Sequence, residues 1–195
     1  MRSRFLILLI LGTLLMPLSA QEAPSLASGA YADFEKGDGI FSLTLGTSVP
    51  LGFAGGDGYL APNAYPGFAF SLSYLGFLDE NWMVGGEIGG SFITTIADRR
   101  LFIAPIAARV AYAIDLSPFV IAPGAGLGMG VSALGEATHV DPLIKLGSSF
   151  YWRVNADMSY GLNLFGNVIP QFYRDSSQDM TGFFLEATLS VAYHL

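Results

Sequence analysis

From Gly182 to Leu195 the chain alternates without a break. Phe183, Leu185, Ala187, Leu189, Val191, Tyr193 and Leu195 fall on one parity. Phe184, Glu186, Thr188, Ser190, Ala192 and His194 fall on the other. A strand sends successive side chains to opposite faces, so this stretch is a strand with one apolar and one mostly polar face. Such a strand needs partners on both edges. The same period recurs from residue 40 onward, which predicts an all-β chain.

The strands expected from this pattern cover about 40–49, 67–77, 81–93, 101–114, 119–132, 143–154, 158–172 and 182–195, eight in all. Connections are expected to be short at 78–80, 115–118 and 155–157. They are longer at 94–100 and longest at 50–66, 133–142 and 173–181. Short and long connections alternating around an even number of strands are the pattern of an outer-membrane barrel. Strands of about ten residues suit a tilted crossing of the hydrocarbon layer.

Alternation alone does not say which face is inside. A soluble eight-stranded barrel turns its apolar face inward and its charges outward. Only 13% of this chain is charged, about half of what a soluble surface usually carries. The minority face is mainly Gly, Ser, Thr, Asn and Ala, which suits a narrow interior. The apolar face also places Tyr74, Trp82, Tyr112, Phe119, Trp152, Tyr160 and Tyr193 at the short-turn end, as an interfacial girdle. Phe68, Phe92, Phe102, Phe172 and Phe183 fall near the other end. The expected fold is therefore an eight-stranded antiparallel up-and-down transmembrane β-barrel over residues 40–195, apolar side out. Closure pairs every backbone group that lipid would otherwise leave unsatisfied.

Arg2 and Arg4 precede an apolar run from Phe5 to Met16, and Pro17–Ala20 reads as a cleavage site, so residues 1–20 are expected to be a signal peptide. Residues 21–39 lack either period and are expected to be a mobile periplasmic leader. The formal charge of −7 becomes −9 once Arg2 and Arg4 are gone, and no basic cluster offers a nucleic-acid surface. The absence of cysteine excludes disulfides and thiolate metal sites.

With this strand count, loop alternation and girdle, the chain resembles the small eight-stranded outer-membrane barrels, the OmpA-barrel, OmpX and OmpW group. The resemblance implies a bacterial outer-membrane location, a monomer, and recognition of the last strand by the barrel-assembly machinery. Leu195 stands where such proteins usually carry an aromatic, and Tyr193 supplies one two positions earlier. The OmpW-like expectation is a narrow passive channel for small or hydrophobic molecules. The alternative is a structural or surface-interaction barrel with a plugged lumen and no transport.

Two sets of residues are candidate sites. Glu87, Arg109, Lys145, Arg153 and Glu186 all fall on the inward face and are expected to pair, because charges away from water are costly alone. Pro105, Pro123 and Pro170 fall inside strands, where each removes a ladder donor. With the inward glycines Gly124, Gly126, Gly128 and Gly130 they suggest a lateral seam, through which an apolar ligand leaves sideways. His139 and Asp141 are expected in an outer loop, with Ser132 the nearest serine in sequence, and His194 at the periplasmic rim. No nucleophile, base and orienting group fall together, so no enzyme activity, metal or cofactor is expected.

Overall fold

The computed structural model describes residues 34–55, 58–135, 137–172 and 179–195. The expected signal peptide and residues 21–33 of the expected leader lie outside them. Among the described residues the alternating segments form ten strands. They are β1 (Gly39–Gly55), β2 (Gly58–Leu60), β3 (Gly67–Phe77), β4 (Trp82–Thr94) and β5 (Arg100–Tyr112), then β6 (Ile114–Leu116), β7 (Phe119–Leu134), β8 (Ala137–Arg153), β9 (Met158–Gln171) and β10 (Met180–His194). Eight are long, and the short β2 and β6 lie on β1 and β7. All pairings are antiparallel. The order β1-β3-β4-β5-β7-β8-β9-β10 closes because β10 pairs β1 from Ile40↔His194 to Gly55↔Met180.

The parity read from the sequence sets the two faces of this wall. Leu43, Leu72, Ile88, Leu127, Leu162 and Leu189 point outward and are exposed, Leu127 by 67%. An apolar outer belt of this kind is the surface of a barrel that crosses a membrane. The girdle residues align across strands: Trp82 faces Tyr112, Phe119 faces Trp152, Trp152 faces Tyr160, and Phe41 faces both Tyr74 and Tyr193. Replacing Leu72 by Arg places a charge on this belt near the middle of β3. The expected loss is about 2–4 kcal/mol in reversible urea unfolding from lipid vesicles.

The turns between β3 and β4, β6 and β7, and β8 and β9 share one device. Asp79 accepts the N–H of Asn81 and Trp82, Asp115 that of Ser117, and Asn155 those of Asp157 and Met158. Side chains that fold back on their own backbone in this way favour tight turns. The Trp82 and Asn81 amides also hold the Asp79 carboxyl below the usual carboxylate range. The first strand begins and the last strand ends at this turn end, where Gly39 and Leu195 exchange backbone hydrogen bonds.

The last part of the expected leader is packed. Phe34 is buried in the mouth of the turn end, its ring 4.5 Å from that of Phe77 and 5.2 Å from that of His194. Gly37 donates to Phe77, and Phe77 donates to Asp38. The segment 34–38 thus closes the base of the barrel with an aromatic ring.

The loop end differs most from expectation. Residues 50–55, expected in a long loop, continue β1 through a bulge at Leu51, and β2 turns back on that extension. Asn63–Tyr65 then crosses over the end of β4, with Tyr65 donating to Thr94 and Ile96 to Asn63. Residues 133–142, also expected as a loop, are a hairpin: β7 and β8 pair up to Leu134↔Ala137, with Gly135 at φ 64° in the turn. Gly135, Asp141 and Pro142 looked like loop residues. Of these only Gly135 lies in the turn, and β8 alternates with Val140 outward and Asp141 inward.

The interior is layered rather than uniformly polar. At the base Phe34, Ile40, Leu75, Phe77, Met83, Val120 and Tyr151 form one apolar cluster. Ionic side chains and Ser, Thr and Asn fill the middle. At the loop end Ile93, Ile103, Leu143, Ile169 and Phe184 form a second apolar cluster.

Candidate functional site

Cross-strand register builds the central plug. Arg109 on β5 and Lys145 on β8 both lie opposite Gly126 of β7. A Cβ at Gly126 would stand 3.3 Å from Arg109 Cγ and 3.4 Å from Lys145 Cβ, so glycine there makes room for both stems. Arg109 Nη1 donates to Glu87 Oε2 at 2.7 Å, and Lys145 Nζ donates to Glu87 Oε1 and, at 2.8 Å, to Glu186 Oε2. The Phe165 ring lies under both cations, 4.4 Å from the Arg109 guanidinium carbon and 5.1 Å from Lys145 Nζ. Two acids balance two bases. What space remains at this level is about 10 Å³, enough for about one water.

Arg153, the fifth residue of the expected network, does not join it. It sits in the base layer, where its Nη2 donates to Asp115 Oδ1 at 2.6 Å and its guanidinium stands 5.4 Å from the Phe34 ring. His194 is at the same end. Its Nδ1 faces the Ala156 carbonyl at 2.9 Å, and its Nε2 lies 2.9 Å from Ser159 Oγ. Ser159 is buried, so this contact is shut within the base layer.

Above the plug lies a cup of about 380 Å³, lined by Phe53, Leu60, Ala64, Leu101, Ile103, Leu134, Ile169 and Phe184. Asn63, Thr95, Ser132, His139 and Gln171 are the polar residues of its lining. His139 is therefore a strand residue facing the cup, not a loop residue. Ser132 lies directly opposite it in register, but Ser132 Oγ meets Asp141 Oδ2, at 3.4 Å. The hydroxyl–imidazole bond that would activate the serine is not made.

Besides the bulge at Leu51, the ladder among the described residues loses pairs in three places, each beside proline. Pro105 pairs Gly130 on β7, so its missing donor faces β4, where Gly89 and Gly90 pair with β3 but lack partners on β5. The rings of Phe70 and Phe102 cover that gap, within 2.7 Å and 3.2 Å of where a Gly90 Cβ would stand. Pro123 pairs Ser148, and the break opposite it separates β5 from β6, which continue in one register. The seam expected along Gly124, Gly126, Gly128 and Gly130 is closed: β5 and β7 pair unbroken from Leu101↔Leu134 to Ala111↔Gly124.

Among the described residues the third interruption is the widest. The β8–β9 ladder stops at Ile144↔Val168, although β8 runs on to Ala137 and β9 to Gln171. In that register Pro142 would face Pro170. Each pairs on its other side, with Met129 and Thr181, so neither brings a donor to the gap. Pro142 was missed in the sequence because it was assigned to a loop. The His139, Ile169 and Gln171 side chains of the cup come from the two strands that part here.

A family model without a descriptive name matches residues 21–193. No curated protein matches the chain. Among solved structures, Neisserial surface protein A (NspA) is similar with a TM-score of 0.62 at 12% identity, over 81% of this chain and 97% of that one. The chain has the fold of the small eight-stranded outer-membrane barrels. The outer membrane protein OprG from Pseudomonas aeruginosa is a second such barrel, with a TM-score of 0.52 at 10% identity, over 83% of this chain and 97% of that one. In this outer-membrane barrel fold the closed ladder and outward belt are the shared frame. The plug, cup and β8–β9 gap are described from this chain's own residues.

Proposed function

We propose that the protein is an exported, monomeric outer-membrane barrel that takes small apolar molecules into its loop-end cup and releases them sideways into the bilayer between β8 and β9. The observation that carries this reading is a cup of about 380 Å³ closed below by the plug and bordered, among the described residues, by the gap between β8 and β9. Axial passage is disfavoured twice, by the ionic centre and by Phe34 at the base. The cup is mainly apolar, which favours a solute with an apolar body over a small inorganic ion. An exported chain would reach the bilayer through a cleaved leader, and β10 is the strand the assembly machinery would read. Neither catalysis nor a cofactor enters this reading.

A surface-interaction barrel without transport is the second reading, and the filled centre favours it. Two measurements separate them. Cells carrying the protein in their outer membrane are expected to take up the apolar fluorophore N-phenylnaphthylamine faster than cells lacking it, while the purified barrel gives no single-channel steps in planar bilayers. Unchanged uptake would leave the surface reading standing. Regular conductance steps would overturn both.

Phe34 offers a further check on the closed base. Phe34→Ala removes the ring that fills the turn-end mouth, with an expected stability loss of about 3–5 kcal/mol. Steady conductance is still expected to be absent, because the ionic centre remains shut. Conductance appearing in this variant alone would place the barrier at the base instead.

A further inference from the structure

The cup has a chemical preference that its apolar lining does not express. Asp141 points inward from β8, one inward position below His139, and is only 5% exposed. Its partner among the described residues is a hydroxyl, Ser132 Oγ at 3.4 Å, and no Lys, Arg or His nitrogen there lies within ion-pair distance. The other buried charges are matched. Glu87 and Glu186 balance Arg109 and Lys145, and Arg153 holds Asp115. Among the described residues Asp141 is thus the buried carboxylate left over, held by one long hydrogen bond. A buried carboxylate in that state is costly unless a cation reaches it.

Ser132 is the link to the cup. Its side chain lines the cavity while its hydroxyl touches Asp141, so the carboxylate lies just behind the polar part of the wall. Phe53 and Phe184 line the cavity from β1 and β10, and Leu101 and Ile103 line it from the strand beside Ser132. A ligand that satisfies both sides has an apolar body and one positively charged, hydrogen-bond-donating end. At about 380 Å³ the cup is some two and a half times the roughly 150 Å³ cavity that holds benzene. That is room for a chain of about eight carbons.

We propose that the cup binds small amphiphilic amines, with the ammonium group at Ser132 and Asp141 and the hydrocarbon against Ile103 and Phe184. This rests on the cup being a ligand site and adds the ligand's chemical class. A fatty carboxylate of equal length would bring a second negative charge to Asp141 and is rejected. An alcohol of equal length would fill the same volume and hydrogen-bond Ser132 without countering the charge.

The test uses the full-length barrel in lipid nanodiscs with labelled isoleucine methyls, titrated with octylamine, octanol and octanoate. Ile103 and Ile169 line the cup, whereas Ile106 and Ile144 face lipid and report partitioning into the bilayer. Octylamine is expected to shift the Ile103 and Ile169 methyls at about tenfold or more lower concentration than octanol, the scale of a hydrogen bond to a charged group. Asp141→Asn keeps the shape and the Ser132 contact and should bring the two ligands together. Ser132→Ala removes the hydroxyl but not the charge, so the amine preference should persist.

Equal binding of octylamine and octanol to the unchanged barrel would overturn the amine proposal and leave the apolar cup intact. So would a preference that survives Asp141→Asn, or tighter binding of octanoate. If no ligand moves Ile103 or Ile169, both the amine proposal and the cup as a ligand site fail.

Discussion

Lys145→Met is expected to lower the stability of the folded barrel by about 3–5 kcal/mol, the usual scale for stripping one partner from a buried ion pair. Lys145 is the only residue of the plug that touches both acids, through Glu87 Oε1 and Glu186 Oε2. Without it Arg109 still holds Glu87, but Glu186 loses the one ion pair described for it. Met fills a similar volume, so the loss measures charge more than a cavity. Glu186→Gln should cost less, because that side chain is 13% exposed against 3% for Glu87 and its amide can still accept from Lys145. The check is reversible urea unfolding in vesicles for both variants. A Lys145→Met barrel as stable as the parent would show that these charges are not coupled.

Much of this plug was legible in the sequence, and for a simple reason. Parity along a strand assigns a face without any knowledge of neighbours, so Glu87, Arg109, Lys145 and Glu186 could each be placed inside. Their mutual contacts needed register, which turns on residues such as Gly126 that carry no chemistry. Arg153 shows the limit. It has the right parity, yet lies eight residues further along β8 than Lys145, in the layer where Asp115 reaches in from the turn end. Height along a strand is as decisive as face, and alternation does not encode it.

The loop end was least legible, because breaker residues there belong to strands. Asp141 and Pro142 read as a loop, but β8 carries both. Proline is tolerated when its missing donor faces an edge, and here the edge is the gap toward β9. Phe184, Ile169 and Ile103 break the expectation of a polar interior, since they sit on the inward parity and form the cup. Alternation of apolar and polar residues marks a strand well where one face is wet. At this end both faces are apolar, so the signal fades.

Pro142 and Pro170 are where the lateral route stands or falls. Replacing both by Val restores two backbone donors across the β8–β9 gap, in a register that Ile144↔Val168 already sets. The ladder can then extend toward the loop end, each new bond being worth about 0.5–1.5 kcal/mol. Two such bonds shift the balance between open and paired by roughly tenfold to a hundredfold. Uptake of N-phenylnaphthylamine should fall by a similar factor, while the unfolding midpoint rises. The paired variant Pro105→Val with Pro123→Val is the control. Those prolines adjoin gaps that are covered by Phe70 and Phe102 or continued by β6, so uptake there should not change. A fall in uptake with Pro105 and Pro123 replaced, but not with Pro142 and Pro170, would move the exit back toward β5 and β7. Single-site variants would then divide the effect: Pro142→Val alone supplies one donor facing an oxygen on β9, and should give an intermediate loss. Because the chain has no cysteine, the same pair can also be tied by engineered thiols without interference. Oxidation that abolishes uptake, and reduction that restores it, would identify separation of these two strands as the moving part.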